Sequence, residues 1–428
     1  MRKTLFALIF ISALALTSCG KTVETATPEA AVTTTATTTQ TTAATTTAVT
    51  TVTTKTVKTD PPESAVLTAR SEVEVYADMT VGELIIDTNT TLKEPDVLID
   101  TDDLGEKKIK VAFTYEGDEY EKEISYTVTD TTPPLALNMG WSPYTKVGEP
   151  FDLNKIIGYV DNYDRAPQAT YTGTVDTSAV GSFPISVTVT DSSGNQTGWD
   201  MTVLVLNEIP KDSYEPTPFS FADFMAYYDY DNVSYGIDVS AWQSVIDFGA
   251  VRDAGCEFAL IRCGYYYSSF VEDDYFRRNI SGAADAGLDV GIYFYTTDNT
   301  EEGVRANARH IIELLDGRKL DYPIAFDWEE WSTFQEYGMN IRDLNNVFEA
   351  FCDEVEQHGY SAMLYSSKNF LNSVWENRND HPVWLAHYVD ETDYEGDYAI
   401  WQQSSSGKIP GIEGFVDMNI RYNSMPLK

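Results

Sequence analysis

The run Ile324-Ala325-Phe326-Asp327-Trp328-Glu329 sets two acids into an apolar segment with strand character. Side chains alternate along a strand, so Asp327 and Glu329 would share one face while Trp328 points to the other. A charge buried without a partner is costly, and acids held in such strands usually have a chemical use. The fold follows from what surrounds this run. Candidate strands begin near Tyr235, Glu257, Asp289, Tyr322, Tyr360, Pro382, Tyr398 and Phe415. Each of the first four intervals is long enough to hold a crossover helix between parallel strands. Helical patterns fill Glu301 to Leu315 and Asp343 to Gln357. The next interval has a short helix around Phe370 to Trp375, and the last two have room for little beyond loops. The spacing predicts an α/β irregular TIM-like barrel over residues 233–428, five β/α units and then three strands. First and last strands are neighbours when a barrel closes. Asp238 from the first strand and Asp417 from the last should therefore join Asp327 and Glu329 at one mouth.

Upstream, the rhythm is that of β-structure. Ile109, Val111, Phe113 and Tyr115 alternate, Glu116-Gly117-Asp118 turns, and Ile124, Tyr126 and Val128 alternate again. A second hairpin has Phe183, Ile185, Val187 and Val189, the turn Asp191-Ser192-Ser193-Gly194-Asn195, and Met201, Val203 and Val205. Ile99-Asp100-Thr101 before Leu104-Gly105 corresponds to Val175-Asp176-Thr177 before Val180-Gly181, with the same offset at every paired position. The pattern is an internal repeat. These phrases resemble bacterial immunoglobulin-like surface domains, which implies two all-β sandwiches over 67–131 and 132–208, serving as spacers or as wall-binding modules. A linker is expected over 209–232.

Residues 1–18 have a basic start, an apolar stretch from Leu5 to Leu16 and a small residue at Ser18, as in a signal peptide; the apolar part is too short to cross a bilayer. Leu16-Thr17-Ser18-Cys19 resembles a bacterial lipobox, which implies lipidation of Cys19 and anchoring to the membrane. The Thr-rich segment within 19–66 lacks periodicity and reads as a disordered tether, roughly 35 Å in mean span and about 130 Å when stretched. The other cysteines, Cys256, Cys263 and Cys352, form no disulfide framework and read as buried thiols.

With 29 basic and 67 acidic residues the formal charge is −38. Phosphate binding relies on Lys and Arg, so nucleic acid is excluded as a partner. No phosphate-binding glycine loop implies a nucleotide, and no ligand spacing implies a metal, so neither cofactor nor metal is expected. His387 reads as structural, with no partner spaced to make it a base or ligand.

Five separated motifs carry a resemblance: Tyr235-Gly236-Ile237-Asp238-Val239-Ser240-Ala241-Trp242-Gln243, Phe326-Asp327-Trp328-Glu329, Trp384-Leu385-Ala386-His387-Tyr388, Ile400-Trp401-Gln402 and Gly414-Phe415-Val416-Asp417-Met418-Asn419. In this order they resemble the glycoside hydrolase family 25 lysozymes. The resemblance implies hydrolysis of the β-1,4 bond between N-acetylmuramic acid and N-acetylglucosamine. Glu329 would be the general acid, Asp327 the group that orients or stabilises the reacting sugar, and Asp238 and Asp417 flanking acids. A close pair of carboxyls suits the task, because like charges drive their proton affinities apart. Tyr293, Tyr295, Tyr365, Trp384, Tyr388 and Trp401, with Trp242, are candidates to stack on sugar faces. One departure is Ser244-Val245-Ile246, where the family usually has Gly-Asp-Ile; it bears on the first loop and not on the acids. The implied partners are peptidoglycan glycan strands and, through the lipid, the membrane, for a monomer facing the cell wall outside the cytoplasm.

Two other readings stand beside this one. A non-catalytic wall-glycan-binding lipoprotein would keep the barrel as a recognition surface. A family 18 chitinase would need a further Asp where Ala325 stands. Retention, through an enzyme nucleophile or the substrate's acetamido group, and inversion both remain open; the resemblance favours the acetamido group.

Overall fold

The computed structural model describes residues 57–138, 142–209, 217–376 and 381–427. The expected signal peptide, Cys19 and most of the Thr-rich stretch lie outside the described residues. Among the described residues no helix is long and apolar enough to cross a membrane.

The C-terminal part is a closed barrel of eight strands, β1 (Val233–Val239), β2 (Phe258–Tyr266), β3 (Asp289–Thr296), β4 (Ile324–Asp327), β5 (Ala362–Ser367), β6 (Val383–Ala386), β7 (Ile400–Lys408) and β8 (Val416–Tyr422). All eight strands begin within two residues of the positions expected from spacing. Neighbours from β1 through β7 are parallel. Strand β8 runs the other way and pairs with both β7 and β1, closing the ring. The short connections before β7 and β8 account for this ending, because they cannot return the chain through a full crossover helix.

Helices α1 (Phe221–Tyr227), α2 (Phe248–Asp253), α3 (Phe276–Asp285), α4 (Glu301–Leu315), α5 (Ile341–Gln357) and α6 (Lys368–Leu371) accompany the strands. Local chemistry sets their ends. Thr300 caps α4, accepting from the Gly303 N–H at 3.1 Å, and Asn340 and Asp343 form a reciprocal capping box on α5. The expected linker 209–232 differs in its second half. Phe219–Ser220 pairs with β7, and Phe221, Phe224 and Tyr228 are buried in the core under the barrel's outer face. Their apolar side chains gain more from that burial than from a solvated connection.

Two-residue alternation sorts the barrel strands into two layers. Outward side chains such as Ile237, Ile261, Phe294, Phe326 and Trp401 form the large core with the helices. Inward ones, Phe258, Leu260, Ala325, Met363, Tyr365, Trp384 and Ile400, fill the barrel. Strand β4 ends at Asp327, shorter than the expected strand through Glu329, so Glu329 stands on the loop just beyond it. Trp328 still turns away, fully buried against Phe334 and Tyr337.

The repeat seen in sequence recurs in space. Strands 91–92, 105–115, 118–129 and 72–74 form one four-stranded sheet; 168–172, 181–190, 196–206 and 144–146 form another in the same order, with the last pair parallel in each. Glu116 and Gly117 both have positive φ, 51° and 85°, as a two-residue hairpin turn requires. The second unit touches the barrel directly. Gln335 donates to the Ile157 carbonyl at 2.9 Å, Arg165 binds Asp343 with two nitrogens, and a Cβ on Gly158 would lie 2.0 Å from the Trp331 carbonyl oxygen.

Candidate active site

The inward positions at one end of the barrel are polar. Asp238 on β1, Arg262 on β2, Tyr293 and Tyr295 on β3, Asp327 on β4, Tyr365 on β5, Gln402 on β7, and Asp417 and Asn419 on β8 all fall on the inward parity. In register, Asp327 lies between Tyr295 and Tyr365, and Asp238 is opposite Asp417. Because β8 is reversed, Asp417 sits near its start yet reaches the mouth formed by the ends of the parallel strands.

Asp238 is the hub. Its Oδ2 accepts from Gln402 Nε2 at 2.9 Å and Asn419 Nδ2 at 2.8 Å. Gln402 Oε1 in turn accepts the hydroxyls of Tyr365 at 3.0 Å and Tyr388 at 2.8 Å, and Asn419 Oδ1 accepts Trp384 Nε1 at 2.8 Å. Burial raises the Asp238 carboxyl to about 6, with the Asn419, Gln402 and Asp417 contacts opposing that rise. Asp417 is held well above the usual carboxylate range by desolvation and by Asp238.

Asp327 is buried, and one of its oxygens, Oδ1, meets no donor. Desolvation lifts its carboxyl well above the usual range, Glu329 and Asp238 add to the lift, and the Arg262 guanidinium counters it. Arg262 is itself anchored, its Nε donating to Asp273 Oδ2 at 2.8 Å. Glu329 is open to solvent on one side, yet the surrounding protein and the charges of Asp238 and Glu330 raise its carboxyl to about 7, with the Tyr365 hydroxyl pulling the other way. An acid that still holds its proton near neutrality, next to others that share few positive charges, can protonate a leaving oxygen.

The stacking candidates divide by strand parity and depth. Tyr293 and Tyr295 are half-buried at the mouth, Tyr295 donating to Glu330 at 3.0 Å, and Tyr388 is exposed. Tyr365 is buried and contributes its hydroxyl. Trp384 and Trp401 are corrections: each is 1% exposed and unable to meet a sugar. Trp384 is inward but lies in the filled barrel, edge-on to Tyr365 and Tyr293; Trp401 is outward, against Tyr228, with its Nε1 donating to the His387 carbonyl. Trp242 and Tyr267, the latter unremarked in the sequence, are exposed aromatics, and Tyr267 lies 5.6 Å from the Tyr295 ring. Gln402 and Asn419, which stand in the quoted motifs without an assigned role, and Arg262 and Glu330 also belong to the site. The free thiols Cys256, Cys263 and Cys352 are buried away from the site.

Residues 237–412 match the profile of glycosyl hydrolases family 25. The autolytic lysozyme of Clostridium acetobutylicum is 30% identical over 191 residues, 43% of this chain and 54% of its own length. Lysozyme M1 of Streptomyces globisporus is 28% identical, covering 43% of this chain and 66% of that one. The chain thus spans about half the length of the first of these relatives. A bacterial lysozyme from Streptomyces coelicolor aligns at 24% identity over 44% of this chain and 92% of its own, with a TM-score of 0.38. The eight-stranded barrel with its inward acids and the profile match coincide on the same residues, and this part of the chain is similar to the glycosyl hydrolases of family 25.

Proposed function

We propose that the chain is a peptidoglycan hydrolase, an N-acetylmuramidase that cleaves the β-1,4 bond between N-acetylmuramic acid and N-acetylglucosamine. The observation that carries this reading is the placement of Asp327 and Glu329 at the mouth of the closed barrel, with Glu329 raised to about 7. Glu329 donates its proton to the leaving glycosidic oxygen. Asp327, near Arg262 and between Tyr295 and Tyr365 in register, orients or stabilises the reacting sugar. Asp238 and Asp417 hold the floor of the site through the Gln402 and Asn419 network. Tyr293, Tyr295 and Tyr388 offer ring faces to the glycan.

The reading extends to the rest of the chain. Lipidation at Cys19, a Thr-rich tether and two immunoglobulin-like spacers would hold the barrel outside the membrane, facing the wall; the repeated sheet order of the two β units supports the last of these. Incubation of the full chain with purified walls should release reducing ends that mass spectrometry identifies as muramic acid. Glu329→Gln should lower kcat by about 10²- to 10⁴-fold with folding intact. Reducing ends on glucosamine, or no release from any wall by the wild type, would overturn the assignment.

A further inference from the structure

A second group of acids converges far from the barrel mouth in sequence. Asp130 follows strand 118–129, Asp161 follows strand 159–160, and Asp191 opens the turn between strands 181–190 and 196–206. One carboxylate oxygen of each lies within 4.8 Å of the other two. The residues are 7%, 1% and 6% exposed.

Orphaned acceptors give this cluster its meaning. Asp161 Oδ1 accepts the N–H groups of Tyr163 and Asp164 at 2.9 and 2.7 Å, while its Oδ2 meets no donor. Asp130 Oδ1 accepts the Thr132 N–H at 3.2 Å, and the Ser193 and Asn162 side chains face the carboxyl, while no hydrogen bond reaches its Oδ2. The neighbouring Asn162 Oδ1 is a third buried oxygen without a donor. Asp191 accepts the Asn195 N–H on Oδ1 at 2.8 Å and the Asn195 Nδ2 on Oδ2 at 2.9 Å. Buried polar atoms are nearly always paired, and two lone carboxylate oxygens within one cluster of three acids call for a positive group. The donors are all hard oxygens, with no histidine or cysteine among them, which fits calcium and disfavours zinc or copper.

We propose that Asp130, Asp161 and Asp191 form a calcium site that joins the two β units and steadies their contact with the barrel. Calcium takes six to eight oxygens, so backbone carbonyls or water complete the shell. Asp130 belongs to the end of the first unit and the other two acids to the second, so the ion links them across the junction at Thr131-Thr132. The loop beginning at Asp161 also holds the start of α5: the Ile341 N–H donates to the Asp161 carbonyl at 2.9 Å, and Asn340 Nδ2 donates to the Tyr163 carbonyl at 2.6 Å.

The test is calorimetric titration of the EDTA-stripped full chain with CaCl2 at pH 7.5, with MgCl2 in parallel and thermal unfolding at each end point. The expected result is one calcium per chain with Kd of roughly 10⁻³ M or tighter, as extracellular modules show, magnesium weaker by about tenfold, and a higher Tm with calcium. Asp161→Asn keeps the Oδ1 acceptor for the two N–H groups and should weaken calcium by about tenfold or more. Asp191→Asn should do the same if Asp161→Asn does not fold. No binding by the wild type at about 10 mM calcium, equal binding by a folded Asp→Asn variant, equal affinity for magnesium, or a Tm indifferent to calcium would each overturn the proposal.

Discussion

Replacing Gln402 by Leu probes the hub of the active site while nearly preserving volume. The substitution removes the 2.9 Å bond from Nε2 to Asp238 Oδ2, and hydrogen bonds to charged groups contribute about 1.5–3 kcal/mol. It also removes one of two acceptors of the Tyr365 hydroxyl, on a residue 7% exposed, which then turns to Glu329; the lost bond contributes about 1 kcal/mol. The Tyr388 hydroxyl, on a residue 52% exposed, can turn to water and adds little. Better apolar packing by Leu offsets part of the loss, leaving about 2–4 kcal/mol, or roughly 5–15 °C in Tm for a barrel of this size. The deficit should depend on pH. Asp238 is an acid whose folded pKa, about 6, lies above its unfolded value, so its ionisation subtracts stability as pH rises between the two. Losing the Gln402 donor raises the folded pKa further and extends that range upward. The gap in Tm between wild type and variant should therefore be smaller at pH 4 than at pH 8. Thermal unfolding by circular dichroism at both pH values reads this directly. A Tm within about 2 °C of wild type at pH 8 would refute the network as drawn.

Glu330→Gln removes a charge that raises the Glu329 carboxyl, so the alkaline limb of kcat/KM for reducing-end release should move to lower pH; an unmoved limb would detach Glu330 from the acid. Trp401→Ala should cost about 3–5 kcal/mol in unfolding free energy, whereas Tyr388→Ala should raise KM and change stability by about 1 kcal/mol or less; chemical denaturation and steady-state kinetics separate the two. Gly158→Ala drives a Cβ to within 2.0 Å of the Trp331 carbonyl oxygen and should destabilise by about 1–3 kcal/mol while lowering kcat, because Trp331 follows the loop that carries Glu329. An unchanged melting curve would show that the β unit does not bear on the barrel there.

The barrel was legible because crossover length is a geometric constraint: the long intervals carried helices, and the short ones around β7 and β8 did not. Asp238, Asp327 and Asp417 stood out as acids in apolar strands. Gln402 and Asn419 carried no such signal, since a neutral amide in a strand has many ordinary uses, although each shares inward parity with a noticed neighbour, Ile400 or Asp417. The same parity, counted with depth, separates Trp401 from Gln402 and places Trp384 below the mouth; residue type alone groups both tryptophans with the rings at the mouth. Alternation carries strand β4 on through Glu329 because extended periodicity does not reveal where pairing stops. Asp130, Asp161 and Asp191 stand far apart along the chain, and only the folded turns bring them together.

The reversed last strand does more than close the ring. In the observed register Asn419 lies opposite Gly236 and Asp417 opposite Asp238. A slip of β8 by one residue would throw both polar side chains into the apolar layer beneath the helices. A slip by two would seat Asp417 where Asn419 stands, putting a carboxylate in place of the amide that donates to Asp238. The floor of the mouth thus acts as a lock on chain alignment: the polar pattern gathered there also rejects the misthreaded barrels that hydrophobicity alone would accept.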